Sequence, residues 1–160
     1  MKLSIFASKK LASILITAAA FSATSFASTE NATAVYAGGV YGKALNPADD
    51  TCANYSYGYL SNTCSTSKQF ILPLTATSEG YKTISFVGQA STATSDVSCK
   101  ATSWSISGGG YVTTAYSSLP SASGAQTVSL GSLYVFNPGT FYVLCNISPS
   151  AKLWMVSWDQ

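Results

Sequence analysis

Along most of the chain apolar and polar residues alternate one for one, in runs of five to nine residues broken by Gly, Ser, Asn and Pro. Such a period of two places alternate side chains on opposite faces of a strand. It predicts strands near Ala34–Tyr41, Tyr55–Leu60, Gln69–Thr75, Thr83–Gln89, Asp96–Trp104, Tyr111–Tyr116, Thr127–Leu130, Ser132–Phe136, Thr140–Ile147 and Lys152–Trp158. Breaks fall at Asn46-Pro47, Ser78-Glu79-Gly80, Gly108-Gly109-Gly110, Leu119-Pro120-Ser121 and Asn137-Pro138-Gly139. Short strands at this spacing predict an all-β fold, an antiparallel sandwich of immunoglobulin-like or jelly-roll-like type. There is no repeat of 20–50 residues to suggest a solenoid or propeller. No linker divides residues 28–160, which are expected to form a single domain.

Two strands show which face is inward. Phe141, Val143, Cys145 and Ile147 share one side of the penultimate strand, and Val97, Cys99 and Ala101 share one side of an earlier one. Both cysteines therefore sit on apolar faces. Four cysteines, Cys52, Cys64, Cys99 and Cys145, allow three pairings. The inward alternation favours Cys99–Cys145 across the core, leaving Cys52–Cys64 to close a local loop. The rival is a zinc site, but there is no C-x-x-C pair and no histidine in the chain to complete one. The domain is thus expected to be disulfide-stabilised, which implies an oxidising compartment.

The N-terminus departs from the alternation. Lys2, Lys9 and Lys10 precede an apolar run from Leu11 to Phe21, and small residues follow up to Ser25-Phe26-Ala27. This is the layout of a secretory signal peptide over residues 1–27, too short to span a bilayer. The domain is expected to be secreted or periplasmic, with no membrane insertion after cleavage. Removing the signal also changes the charge. The chain's net +2 becomes −1, with five lysines against six carboxylates and no arginine. So few cations leave no electrostatic footprint for nucleic acid.

Asp96-Val-Ser-Cys-Lys-Ala and Gly139-Thr-Phe-Tyr-Val-Leu-Cys-Asn-Ile resemble strands B and F of immunoglobulin domains. The core Trp and tyrosine corner of that family are out of place here, because Trp104 comes too soon and Tyr142 stands one position early. The layout also resembles a set of small secreted bacterial four-cysteine proteins, through Val97-Ser98-Cys99 and Tyr142-Val143-Leu144-Cys145, with Leu72-Pro73 where those have Cys-Pro. That resemblance implies a β-sandwich and an extracytoplasmic address. It implies no activity.

Catalytic chemistry is poorly supplied. Without histidine no Ser-His-Asp or Cys-His arrangement can be built. Ser65-Thr-Ser-Lys68 matches S-x-x-K without its partner motifs, and Gly38-Gly39-Val-Tyr-Gly42-Lys43 fails the spacing of a phosphate loop. Asp49 and Asp50, with Asn46, can be imagined around calcium, but a solvated turn explains them as well. No catalytic residue, metal site or cofactor is expected. The remaining signal is aromatic. Tyr55, Tyr57 and Tyr59 alternate inside the Cys52–Cys64 loop, and on one strand their rings would repeat about every 7 Å along one face. Such a ladder can stack on sugar rings or on a protein partner, or it is ordinary cross-strand packing in a Tyr-rich sheet. In the last strand Trp154, Val156 and Trp158 are expected to share an inward face. The function read from all this is a non-enzymatic exported sandwich acting through surface contacts, as an envelope, adhesion or binding module with a protein or glycan partner. Its variants are a carbohydrate-binding module using the tyrosine ladder and a pilin-like fibre subunit.

Overall fold

The computed structural model describes residues 34–92, 96–108, 110–120 and 124–160. The signal peptide expected over residues 1–27 lies outside the described residues. Twelve strands run in chain order: β1 (Ala34–Gly38), β2 (Lys43–Ala44), β3 (Ala53–Ser56), β4 (Tyr59–Asn62), β5 (Lys68–Leu74), β6 (Gly80–Gln89), β7 (Val97–Ser105), β8 (Tyr111–Thr113), β9 (Ser117–Ser118), β10 (Ala125–Val135), β11 (Gly139–Ile147) and β12 (Lys152–Asp159). Two short 3-10 turns, Gly39–Tyr41 and Pro47–Cys52, link the first three.

The strands form two antiparallel sheets. One has the order β10-β6-β12-β4-β3, with β1 also on β12; the other has the order β2-β5-β11-β7-β8, with β9 also on β7. Phe70, Leu72, Val143 and Ile147 from the second sheet and Leu60, Ile84, Phe86, Leu153 and Val156 from the first are fully buried in a single core cluster. Alternation alone accounts for this. On β11 every odd residue from Phe141 to Ile147 is buried while its neighbours are half-exposed. Burying a side chain of this size contributes about 1.5–3 kcal/mol.

The bridges are Cys52–Cys64 and Cys99–Cys145. Cys99 and Cys145 are direct partners in the β7–β11 register, with Cα atoms 4.1 Å apart. Their bridge therefore joins neighbouring strands of one sheet. It does not cross the core from sheet to sheet, as the immunoglobulin comparison implies.

Three further expectations change. The strands foreseen at Thr127–Leu130 and Ser132–Phe136 are one strand, β10, with a bulge between Ser129 and Gly131 in place of a turn. The strand foreseen at Tyr55–Leu60 is a hairpin. On β12 only Val156 and Trp158 face inward with Leu153, and Trp154 does not. The cause is a register shift on β12 between Leu153 and Met155, which puts two residues between the buried Leu153 and Val156. A bulge of this kind re-aims the side chains it contains.

Candidate functional site

The hairpin β3–β4 turns at Tyr57-Gly58, where both φ angles are positive, +49° and +85°. That is the demand of the two-residue type I′ turn, which Asn-Gly meets best and a tyrosine meets at some cost. The base of the hairpin is stapled by Cys52–Cys64. The Thr63 N–H and hydroxyl both donate to the Cys52 carbonyl, at 2.8 and 3.0 Å. Buried Asn62 secures the same end. Its Nδ2 donates to the carbonyls of Thr66 and Ile147, each at 2.8 Å, and its Oδ1 accepts the Cys64 N–H at 3.0 Å. All of its hydrogen-bonding capacity on that side is spent on fixing the hairpin to the body of the sandwich.

This geometry separates the three tyrosines. Tyr55 is the register partner of buried Leu60, and Tyr59 is the partner of Ser56, so Tyr55 and Tyr59 point to opposite faces. The single-face ladder does not form, because the turn falls in its middle. Tyr55, 45% exposed, donates its hydroxyl to the Gly42 carbonyl at 2.8 Å and ties β3 to the loop after the first 3-10 turn. Partial burial, then the nearby Asp50 carboxylate, raise its pKa above the ordinary 10.0. Tyr57 stands at the hairpin tip, 91% exposed. Tyr59 packs on Trp154 with ring centroids 4.9 Å apart and carries the Lys152 ammonium over its ring at 4.8 Å.

Of the three, Tyr57 borders a recess on the outer face of the first sheet, and Tyr59 reaches it only through its contact with Trp154. One side of β12 is shared by two strands. β1 pairs with Met155–Asp159 and β4 pairs with Lys152 and Leu153, which leaves Trp154 where the partners change. The 3-10 turn at Gly39–Tyr41 carries the chain away from β12 at that point. It passes so close that a Cβ on Gly39 would lie 2.1 Å from the Leu153 carbonyl oxygen and 2.9 Å from the Leu60 nitrogen. Only glycine fits there. The resulting opening of about 590 Å³ is walled by Tyr36 and Gly38 on one side and Tyr57 and Gly58 on the other, with Trp154 and Met155 as its floor. Tyr36 is 64% exposed. The Trp154 indole N–H is buried and has no acceptor among the described residues, although a buried indole usually finds one.

Two further aromatic surfaces are present: Tyr81 and Tyr134, register partners on β6 and β10 with ring centroids 5.3 Å apart, and a pair on the second sheet. Trp104 and Tyr111 are register partners, and their exposed rings stack at 5.4 Å and 16°. Lys100 lies over Tyr116 at 5.0 Å. Elsewhere, the Asp49–Asp50 segment proves to be a capped 3-10 turn. Asn46 Oδ1 accepts the Ala48 N–H at 3.2 Å, and Asp49 pairs with Lys68 at 2.6 Å. Among the described residues no three metal-ligating side chains come together, and no helix is long and apolar enough to cross a membrane.

Tyr36 and Trp154 were not singled out for binding from the sequence. A signal existed for Trp154, since it lies two positions from Lys152 on a strand with a broken alternation, but the bulge was needed to turn it outward.

No protein-family model matches the chain, and no curated protein matches it. Its fold is similar to that of solved structures. One is the C-terminal CBM6 of LamC, a marine laminarinase from Zobellia galactanivorans, at 14% identity and a TM-score of 0.53, over 80% of this chain and 100% of that one. Another is a Podospora anserina GH26-CBM35 β-(1,4)-mannanase, at 9% identity and a TM-score of 0.51, over 81% of this chain. This chain spans 28% of the mannanase structure. At such identities the likeness defines a class of fold. The protein is a disulfide-bonded, antiparallel β-sandwich.

Proposed function

We propose that this protein is an exported, non-catalytic glycan-binding module, and that the recess on the first sheet is where it binds. The observation that carries the reading is the grouping of Tyr36, Tyr57 and Trp154 around one opening, with Tyr59 packed behind Trp154. A sugar ring offers C–H groups on its faces and hydroxyls at its edge. Aromatic rings receive the faces, and the phenol hydroxyls of exposed tyrosines can exchange hydrogen bonds with the edge. The modules named in the two similar structures are carbohydrate-binding ones, so this fold is one that carries such sites. A second support is the backbone at Tyr57. A bulky residue at positive φ costs about 1–2 kcal/mol, and the ring it presents is almost wholly exposed, so that cost is not recovered by packing. The two disulfides accord with a place outside the cytoplasm.

The pilin-like reading is less favoured. A subunit completed by a neighbour's strand needs a gap in its sheet. Here β12 is paired on both sides, by β6 on one and by β1 and β4 on the other.

The test is affinity electrophoresis of residues 28–160 through gels containing individual soluble polysaccharides. Retardation by at least one of them is expected, with Trp154→Ala abolishing it and Trp104→Ala leaving it intact. Folded protein retarded by none, or a Trp154→Ala variant retarded like the wild type, would refute the proposal.

A further inference from the structure

We infer that the recess selects anionic sugars, with Lys152 supplying the contact to a carboxylate or sulfate; this rests on the glycan-binding reading above. Lys152 and Trp154 lie two residues apart on β12 and on the same outward side, about 7 Å along the strand. The intervening Leu153 is buried. The Lys152 ammonium is held 4.8 Å from the centre of the Tyr59 ring, and that ring in turn packs on Trp154. The cation is thus fixed at the end of the aromatic floor and does not sweep freely through solvent.

Its electrostatic surroundings leave it available. Among the described residues the ion pair is Lys68–Asp49, and Lys152 has no carboxylate partner. The other ionised group on this face of β12 is Asp159, at the strand's opposite end, where it accepts the Thr83 N–H. Seven residues separate the two, about 23 Å of extended chain. On β12 the face between them carries Trp154, Met155 and Ser157. A sugar lying across Trp154 and Tyr57 therefore meets the Lys152 charge to one side, a charge with no carboxylate paired to it among the described residues. An ammonium donates in three directions without the planar fork of arginine, so it does not by itself distinguish carboxylate from sulfate. Spacing does the selecting, through one negative group about a sugar's width from the stacked ring.

The same feature fits the rest of the chain. One fixed cation on a domain of net charge −1 after signal removal is no footprint for nucleic acid, whose binding needs many neutralised phosphates. It is enough to rank one glycan over another. Lys100 over Tyr116 on the opposite sheet is the matched control, being a similar cation–ring pair on the other face of the sandwich.

The experiment uses isothermal titration of residues 28–160 with paired ligands that share a backbone: polygalacturonate and its methyl ester, glucuronoxylan and xylan, sulfated and unsulfated galactan. The expected result is that at least one anionic member binds about three- to tenfold tighter than its neutral partner, a preference erased by about 0.5 M salt. Lys152→Gln should remove the preference while keeping binding of the neutral member and the melting temperature. Lys100→Gln should change neither. The carboxylate and sulfate pairs tell which anion is preferred. Tighter binding of the neutral members, or an anionic preference that survives Lys152→Gln, overturns the inference while leaving glycan binding standing. Absence of binding to every member of every pair refutes the glycan reading and this inference with it.

Discussion

The two outer faces of the sandwich carry comparable aromatic material and differ in shape. On the second sheet Trp104 and Tyr111 lie flat against each other over the continuous register of β7 and β8. On the first sheet Trp154, Tyr57 and Tyr36 surround an opening, because β12 changes partners beneath them. Exposed rings by themselves are ordinary on protein surfaces. What distinguishes the first face is the bulge. On both sheets two strands share one edge of a third, β1 and β4 on β12 and β8 and β9 on β7, but the register along β7 is continuous while the shift between Leu153 and Met155 sets the Trp154 side chain beneath the junction on β12.

The largest effects that sharpen this contrast come from the bridges. On the chain-entropy estimate, closing the 46-residue separation of Cys99–Cys145 contributes about 4 kcal/mol and the 12-residue separation of Cys52–Cys64 about 3 kcal/mol. Replacing Cys99 and Cys145 with alanine should therefore lower denaturant stability more, yet leave glycan affinity of the folded fraction unchanged. Replacing Cys52 and Cys64 should cost less stability and weaken binding, since it loosens the hairpin that forms one wall. Equal effects on affinity would erase the distinction between the faces. Gly39→Ala attacks the gap directly. The added methyl meets backbone atoms of Leu153 and Leu60, and a loss of about 3 kcal/mol is expected in urea unfolding, with binding weakened in whatever remains folded.

A smaller effect has the opposite sign for stability. Tyr57→Asn supplies the residue the turn prefers and should raise stability by about 0.5–1 kcal/mol while reducing glycan affinity. A variant that gains stability and keeps full affinity would show that the Tyr57 ring is idle. The smallest effect concerns Tyr55. Its pKa is raised in the folded protein, so the folded state holds that proton more tightly than the unfolded one. The associated stability is present below pH 10 and is lost as pH rises through the folded value. Thermal melts at pH 9 and above pH 10 should show the wild type losing slightly more stability over that interval than Tyr55→Phe.

Most of the sheet framework was legible from alternation. β6, β7, β11 and β12 begin and end within a few residues of their expected bounds, because each has one face in the core and the period-two pattern records it. The failures share a cause. Gly131 and Trp154 sit at bulges, and a bulge adds one residue without altering the local composition, so β10 read as two strands and Trp154 read as core. Tyr57-Gly58 does not stand out as a turn because the alternating tyrosines continue through it, although a glycine after a polar-edged residue is a turn signal. Of the candidate site, Tyr57 and Tyr59 could be named from their spacing. Tyr36 could not, since its nearness to Trp154 depends on β1 pairing with residues more than a hundred positions away.

That long-range pairing also sets an order of assembly. β12 lies at the middle of its sheet, with β6 and β10 to one side and β1, β3 and β4 to the other, and it follows all of them along the chain. Until Lys152–Asp159 has been synthesised, β1 has no strand to join, and nothing links the hairpin β3–β4 to β6. Contacts of such sequence separation form late and slowly. A growing chain therefore keeps its first sheet open, with the hairpin and β1 on one side and β6 and β10 on the other, until β12 has been made.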